Sequence, residues 1–219
     1  MIKSEIERTA ITYLKNNLER LFSTYLNAHD ALNEKMAFFT AGPSGAGKTE
    51  FVQEMLTIES DLVHLDIDRI REFFSDIGYD GSNSDLFQKP SSYGVQYLFE
   101  EIVKSRGLSF VLDSNLAKLQ TAHENIIKLL EKGYKIEIYY IYNDLDTCYL
   151  YSKKREVVTK RVVPEDVFIK NALESRVTVY ELKKQFNDKI VLNVVDKRNS
   201  QYFENISCDR FYEIVPEYQ

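Results

Sequence analysis

Gly42-Pro43-Ser44-Gly45-Ala46-Gly47-Lys48-Thr49 constrains this chain more than any other stretch. Gly, four residues, then Gly-Lys-Thr is the spacing of a phosphate-binding loop. Its glycines keep side chains out of the way so that backbone N–H groups can face an anion, its lysine reaches the β- and γ-phosphate oxygens, and its threonine hydroxyl ligates Mg²⁺. The flanks agree with that reading. Met36-Ala37-Phe38-Phe39-Thr40 reads as a short buried strand, and Glu50 to Leu56 as the first turns of a helix whose positive N-terminus faces the loop. Gly42, Pro43, Ser44, Gly45, Ala46, Gly47, Lys48 and Thr49 are therefore the expected nucleotide cradle, with Thr49 also a metal ligand.

Ahead of the loop, Ile6, Ala10, Leu14, Leu18, Leu21 and Tyr25 recur at helical spacing. Residues 1–35 are expected to form a helical segment packed on the core of a domain running from 36 to 219. Asp61 to Asp68 reads as a second strand with Asp66 and Asp68 at its C-terminal end, where open α/β sheets place their ligands, and Arg71 follows on the next helical turn. Residues 78–92, rich in Gly, Asn, Ser, Asp and Pro, read as a surface excursion near the mouth of the site. Val95, Leu98, Phe99, Ile102 and Val103 then predict an amphipathic helix closed by Gly107.

Leu108 to Asp113 is an apolar run ending in a carboxylate, the form of a Walker-B strand, with Ser114 and Asn115 just beyond. A helix ended by Gly133, a fourth strand to Tyr142, a long helix over 165–185 and a fifth strand over 190–196 complete the pattern. Tyr202, Phe203, Phe211 and Tyr212 give the tail enough aromatic surface to pack. This alternation predicts a parallel five-stranded sheet flanked by helices, the three-layer α/β sandwich of P-loop NTPases, with an N-terminal helical extension.

A formal charge of −6 and a pI near 5.3 argue against a protein that holds nucleic acid on a general basic surface. Cys148 and Cys208 have neither a disulfide framework nor metal-type spacing, which suits a reducing compartment. No apolar run approaches the ~18 residues of a membrane span, and the N-terminus has no signal-peptide pattern, so a cytoplasmic protein is expected.

Phosphoryl transfer needs a nucleotide cradle, a metal, a base for the attacking hydroxyl and cations around the transferring group. Lys48 and Thr49 supply the cradle and one metal ligand, Asp113 the metal carboxylate, and Asp68 the base. Asp66, Arg71, Asp113 and Asn115 are placed on the acceptor side. Asp146 to Val163 is the most basic region, stopping at Pro164, and is expected to form a lid over about 146–164. Its Arg155 and Arg161 would close on the γ-phosphate. The same residues have blander readings: an Asp before a helix is a common N-cap, and a charge run is often a solvated face.

On these residues the chain resembles the zeta toxin family of P-loop kinases over roughly 36–196. The resemblance rests on the loop at 42–49, Asp66-Ile67-Asp68-Arg69-Ile70-Arg71, Val111-Leu112-Asp113-Ser114-Asn115, Gly133-Tyr134-Lys135, and Arg155 with Arg161 before Pro164. It implies ATP and Mg²⁺ as cofactors, Lys48 on phosphate, Asp68 as base, and Arg155 and Arg161 on ATP. It also implies a UDP-sugar such as UDP-N-acetylglucosamine as acceptor and an antitoxin as partner. The chain departs from the family at Asp113-Ser114-Asn115, where the family carries Glu, then Gly or Thr, then Thr, and Glu100 and Glu101 do not align clearly with its substrate-binding Glu. The spacing of Asp68 and Arg71 is also similar to that in polynucleotide 5′-kinases. A nucleotide-binding regulatory module without acceptor kinase activity is a third reading.

Overall fold

The computed structural model describes residues 2–218. Its centre is β1 (Met36–Ala41), hydrogen-bonded in parallel to β3 (Phe110–Asp113) on one side and to β4 (Lys135–Tyr142) on the other. β2 (Val63–Asp66) lies outside β3 and β5 (Val191–Asp196) outside β4, both parallel. Among the described residues the sheet has six strands rather than five, because β6 (Gln201–Phe203) pairs antiparallel with β5 in the order β2-β3-β1-β4-β5-β6. Three residues with exposed Gln201 and Tyr202 leave almost no hydrophobic pattern to read.

From β1 the chain crosses toward β2, and from β3 it returns past β1 to β4. The C-terminal end of β1 therefore lies at the switch point of the sheet, where open α/β folds bind their ligands. The phosphate loop leaves the sheet there and runs into α3 (Lys48–Ile58).

The N-terminal stripe folds as two helices, α1 (Ile2–Asn16) and α2 (Leu18–Leu26), rather than one. Asn17 breaks it with a non-helical backbone (φ −126°, ψ 28°), and its side-chain amide donates to the Tyr13 carbonyl. Ala10, Leu14, Leu21 and Leu26 are fully buried. Burying a leucine side chain is worth about 1.5–3 kcal/mol, so these helices are part of the core. They also grip α4 (Ile67–Glu72) and the turn after it: Arg20 pairs with Asp76 at 2.7 Å, and the Tyr25 hydroxyl donates to the Arg69 carbonyl at 2.9 Å.

The surface excursion expected over 78–92 ends at Asn83, because α5 spans Ser84–Glu101 with Pro90 inside it. The small residues in that stretch serve packing. Phe87, Pro90, Ser91 and Gly94 are buried, and a Cβ on Gly94 would come within 2.6 Å of Ile70 Cγ2 on α4. Helices α4 and α5 can approach this closely only over glycine. A π-helical turn, Ile102–Arg106, follows α5 and closes at Gly107, whose N–H donates to the Ile102 carbonyl at 2.7 Å.

Beyond β3 come α6 (Leu119–Glu131), α7 (Leu145–Thr159), α8 (Glu165–Phe186) and α9 (Cys208–Ile214). Pro164 occupies the N-cap position of α8, one residue before its first turn. The aromatic tail packs: Phe211 is fully buried and meets Tyr140 edge to face. Among the described residues no helix is long and apolar enough to cross a membrane.

Candidate active site

The phosphate loop is held in a shape that side chains would prevent. Gly42, Gly45 and Gly47 have φ of 122°, 77° and 98°. A Cβ on Gly42 would lie 2.3 Å from the Ile141 carbonyl oxygen of β4, and one on Gly45 would lie 2.1 Å from the Cys148 carbonyl oxygen of α7. The Gly42 N–H donates to Ser175 Oγ of α8 at 2.8 Å, and Ser44 and Ser152 share a hydroxyl contact of 3.2 Å. Helices α7 and α8 thus clamp the loop from outside, an arrangement with no local signal in the sequence.

Gly45→Ala is expected to cost about 3 kcal/mol, combining left-handed backbone strain with overpacking against α7. That corresponds to a melting temperature lower by roughly 6–12 °C in a chain of this size. Gly78→Ala is the control. Its φ is 97° but no heavy atom of the described residues lies within 4 Å of the added Cβ, so only the strain applies. Equal melting shifts for the two variants would contradict the packing described.

Lys48, the first residue of α3, lies under the loop with Nζ donating to the Gly42 carbonyl at 3.0 Å and the Pro43 carbonyl at 2.6 Å. Desolvation pushes its ammonium down to about 8, although the Asp113 carboxylate works in the opposite direction. Thr49 donates from Oγ1 to Asp113 Oδ2 at 3.2 Å, and Thr40 of β1 donates to Asp113 Oδ1 at 3.1 Å. The parallel register sets Asp113 beside Asp66 at the ends of neighbouring strands.

Burial opposes the charge on Asp113, but His64, Lys48 and the Thr40 hydroxyl together hold its carboxyl below the usual range. Asp66 moves the other way, raised by desolvation and by neighbouring Asp68. Thr49, Asp113 and Asp66 form an oxygen donor set that fits Mg²⁺, which takes one or two carboxylates, a hydroxyl and phosphate oxygens.

The second strand ends at Asp66, so Asp68 lies in the first turn of α4 and not on a strand. The N-cap there is Asp66, whose Oδ1 accepts the Asp68 N–H at 2.9 Å. That leaves the Asp68 carboxylate for other partners, and three guanidinium groups meet it. Arg155 Nη2 donates to Oδ2 at 3.2 Å, Arg161 Nη1 reaches both oxygens at 2.8 and 3.1 Å, and Arg71 Nη1 donates to Oδ1. Arg71 is 1% exposed and spends its other arm on Gln88 of α5. Desolvation and the neighbouring Arg161 lower its pKa, yet a guanidinium stays charged in proteins.

Three cations around one carboxylate leave a local excess of positive charge beside the loop. A cavity of about 30 Å³ lies among Ser44, Asp68, Ser152, Arg155, Arg161 and Val163.

Of the basic residues expected in the lid, only Arg155 and Arg161 reach Asp68. Lys153 binds Glu156 and the Val163 carbonyl, Lys154 lies over the Tyr151 ring, and Lys160 caps α7. Most of the 146–164 span is helix α7, leaving a short loop from Lys160 to Pro164. Asn115 is occupied locally: its Oδ1 accepts the Ala117 N–H at 3.2 Å and its carbonyl accepts the Gly42 N–H at 3.4 Å, so it shapes the turn behind the phosphate loop. His64, Gln88, Ser152 and Ser175 join the site without having been anticipated. Gln88 lies in a stretch whose composition predicts a loop, and His64 in a strand whose carboxylates carry the sequence signal.

The zeta toxin family model matches residues 21–207, most of the chain, beginning within α2. Among curated proteins none matches the sequence. The structure resembles a chain of the PezAT chromosomal toxin-antitoxin system of Streptococcus pneumoniae, with a TM-score of 0.71 at 16% identity over 95% of this chain and 89% of that one. It also resembles a chain of the native AvrRxo1-ORF1:AvrRxo1-ORF2 complex (TM-score 0.68, 15% identity, 100% of this chain and 72% of that one). The corresponding complex with ATP gives a TM-score of 0.67 at 13% identity, over 100% and 74%. At such identities the likeness establishes a shared fold.

Proposed function

The chain belongs to the zeta toxin family, and on that premise we propose that it is an ATP- and Mg²⁺-dependent kinase. It phosphorylates a hydroxyl of a small molecule, with a UDP-sugar such as UDP-N-acetylglucosamine as the first acceptor to test. The observation that carries this reading is Asp68 ringed by Arg71, Arg155 and Arg161 at the edge of the phosphate loop. A carboxylate held there is placed to take a proton from a nucleophile that attacks the γ-phosphoryl group. A kinase needs one to accept a proton from the attacking hydroxyl.

In this reading the loop amides and Lys48 bind the β- and γ-phosphates, and Arg155 and Arg161 meet the γ-phosphoryl oxygens as the arginines exchange part of their hold on Asp68 for phosphate. The acceptor oxygen attacks phosphorus as its proton passes to Asp68, and the bond to the β-phosphate oxygen breaks in line. Thr49, Asp113 and Asp66 are the residues that would hold Mg²⁺, which neutralises charge on the β- and γ-oxygens when bound. Arg71, buried beneath Asp68, fixes the orientation of the base. A structural neighbour solved with ATP supports that nucleotide, and neighbours from toxin-antitoxin and two-protein complexes support an antitoxin as partner. A cytoplasmic site of action follows from those substrates.

The test is transfer of labelled γ-phosphate from ATP to a panel of UDP-sugars, nucleosides and oligonucleotide 5′ ends. Label on a UDP-sugar is the expected result. Label only on oligonucleotide ends would replace the acceptor class, and no transfer to any member would remove the kinase reading.

A further inference from the structure

Asp113 is approached from two directions. On the loop side Thr49 Oγ1 lies 3.2 Å from Oδ2; on the strand side His64 Nε2 lies 3.9 Å from the same oxygen. His64 is 6% exposed, and its Nε2 is fully buried with no hydrogen-bond partner among the described residues. An imidazole nitrogen without a partner in the interior is costly, and such groups are normally satisfied by a protein group, a water or a metal. Asp66, two residues on along β2, faces the same side of the strand as His64 and caps α4 through Oδ1. One ligand atom each from His64, Asp66 and Asp113 lies within 4.8 Å of the other two. Two donors bound at about 2.1 Å to one cation stand at most ~4.2 Å apart, so the His64–Asp113 pair already meets that limit and small side-chain rotations bring in Asp66.

We propose that His64, Asp66 and Asp113 form a site for a borderline divalent transition metal, held without nucleotide. One imidazole with two carboxylates is a donor set for Zn²⁺ and its neighbours in the series, whereas Mg²⁺ prefers oxygen alone. Because Asp113 also faces Thr49, a cation in this site lies against the phosphate loop before nucleotide arrives. The site rests on neither the kinase reading nor the acceptor, since no nucleotide enters the test.

The experiment uses the full chain with Mn²⁺ and Zn²⁺ alone. Titration calorimetry in the absence of nucleotide is expected to give one Zn²⁺ per chain. Pulsed electron spin resonance of the Mn²⁺ complex is expected to show coupling to a directly bound ¹⁴N, which requires no variant and so does not depend on one folding. His64→Asn, checked for an unchanged melting profile, should lose that coupling and weaken Zn²⁺ by roughly a hundredfold while leaving Mg²⁺ within about twofold. Absence of nucleotide-free binding overturns the proposal. So does Mn²⁺ binding without nitrogen coupling, which would leave a carboxylate-only site.

Discussion

Replacing Lys48 by Met is expected to lower kcat/KM for phosphoryl transfer by about a thousandfold, the scale seen when a single charge-stabilising donor is removed from a reacting phosphate or carbonyl site. A second, independent signature comes from its protonation. In the free protein desolvation holds the Lys48 ammonium at about 8. A triphosphate bound against Nζ adds negative charge and moves the pKa back up, so binding near pH 8.5 takes up roughly three quarters of a proton. Calorimetry of ATP binding in buffers of different ionisation enthalpy reads that number directly, and Lys48→Met should show none of it.

The same shift links to stability. An unfolded lysine titrates near 10.4, above its folded value, so the unfolded chain binds more protons between the two pKa values. Lys48 therefore makes the nucleotide-free protein more stable as pH rises from about 8 to above 10, and Lys48→Met should flatten that rise. Turnover of Lys48→Met within tenfold of the parent would mean that the lysine does not touch the reacting phosphates.

The phosphate loop and its flanks were legible because they join fixed spacing to a strand before and a helix after, and each requirement is local. Asp68 and the pair Arg155 and Arg161 were legible as candidates. That they converge on one another, 87 and 93 positions apart, comes from α7 packing on Gly45, which no local pattern encodes. The stretch around Pro90 shows the opposite failure. Its composition is that of a loop, yet Ser91 is buried in α5 and Gly94 is small because α4 crosses α5 there, so tertiary contact overrode propensity. Strand β6 and the break at Asn17 were hidden for a related reason: three residues of edge strand and one capping amide are too short to create periodicity.

Asp68→Asn should separate binding from chemistry. On the proposed mechanism the variant has no acceptor for the hydroxyl proton, and transfer should fall at least about a hundredfold, the usual contribution of a positioned base. Binding of ATP should persist or tighten, because Arg155 and Arg161 lose their present anionic partner and a negative charge near the γ-phosphate disappears. Stability should move the other way. Arg71 is 1% exposed, and Asp68 is its only ion-pair partner among the described residues. Asn at position 68 leaves that buried cation hydrogen-bonded but uncompensated, at a cost of about 2 kcal/mol, or roughly 4–8 °C in melting temperature. Added ATP should recover part of this loss, since phosphate supplies the missing negative charge to the arginine cluster. A nucleotide-binding regulatory module predicts a different set of results: Asp68→Asn would still cycle nucleotide at the parent rate, with no acceptor product from either protein. A third pattern, loss of ATP binding together with loss of transfer, would place Asp68 in the nucleotide cradle and remove it from the role of base.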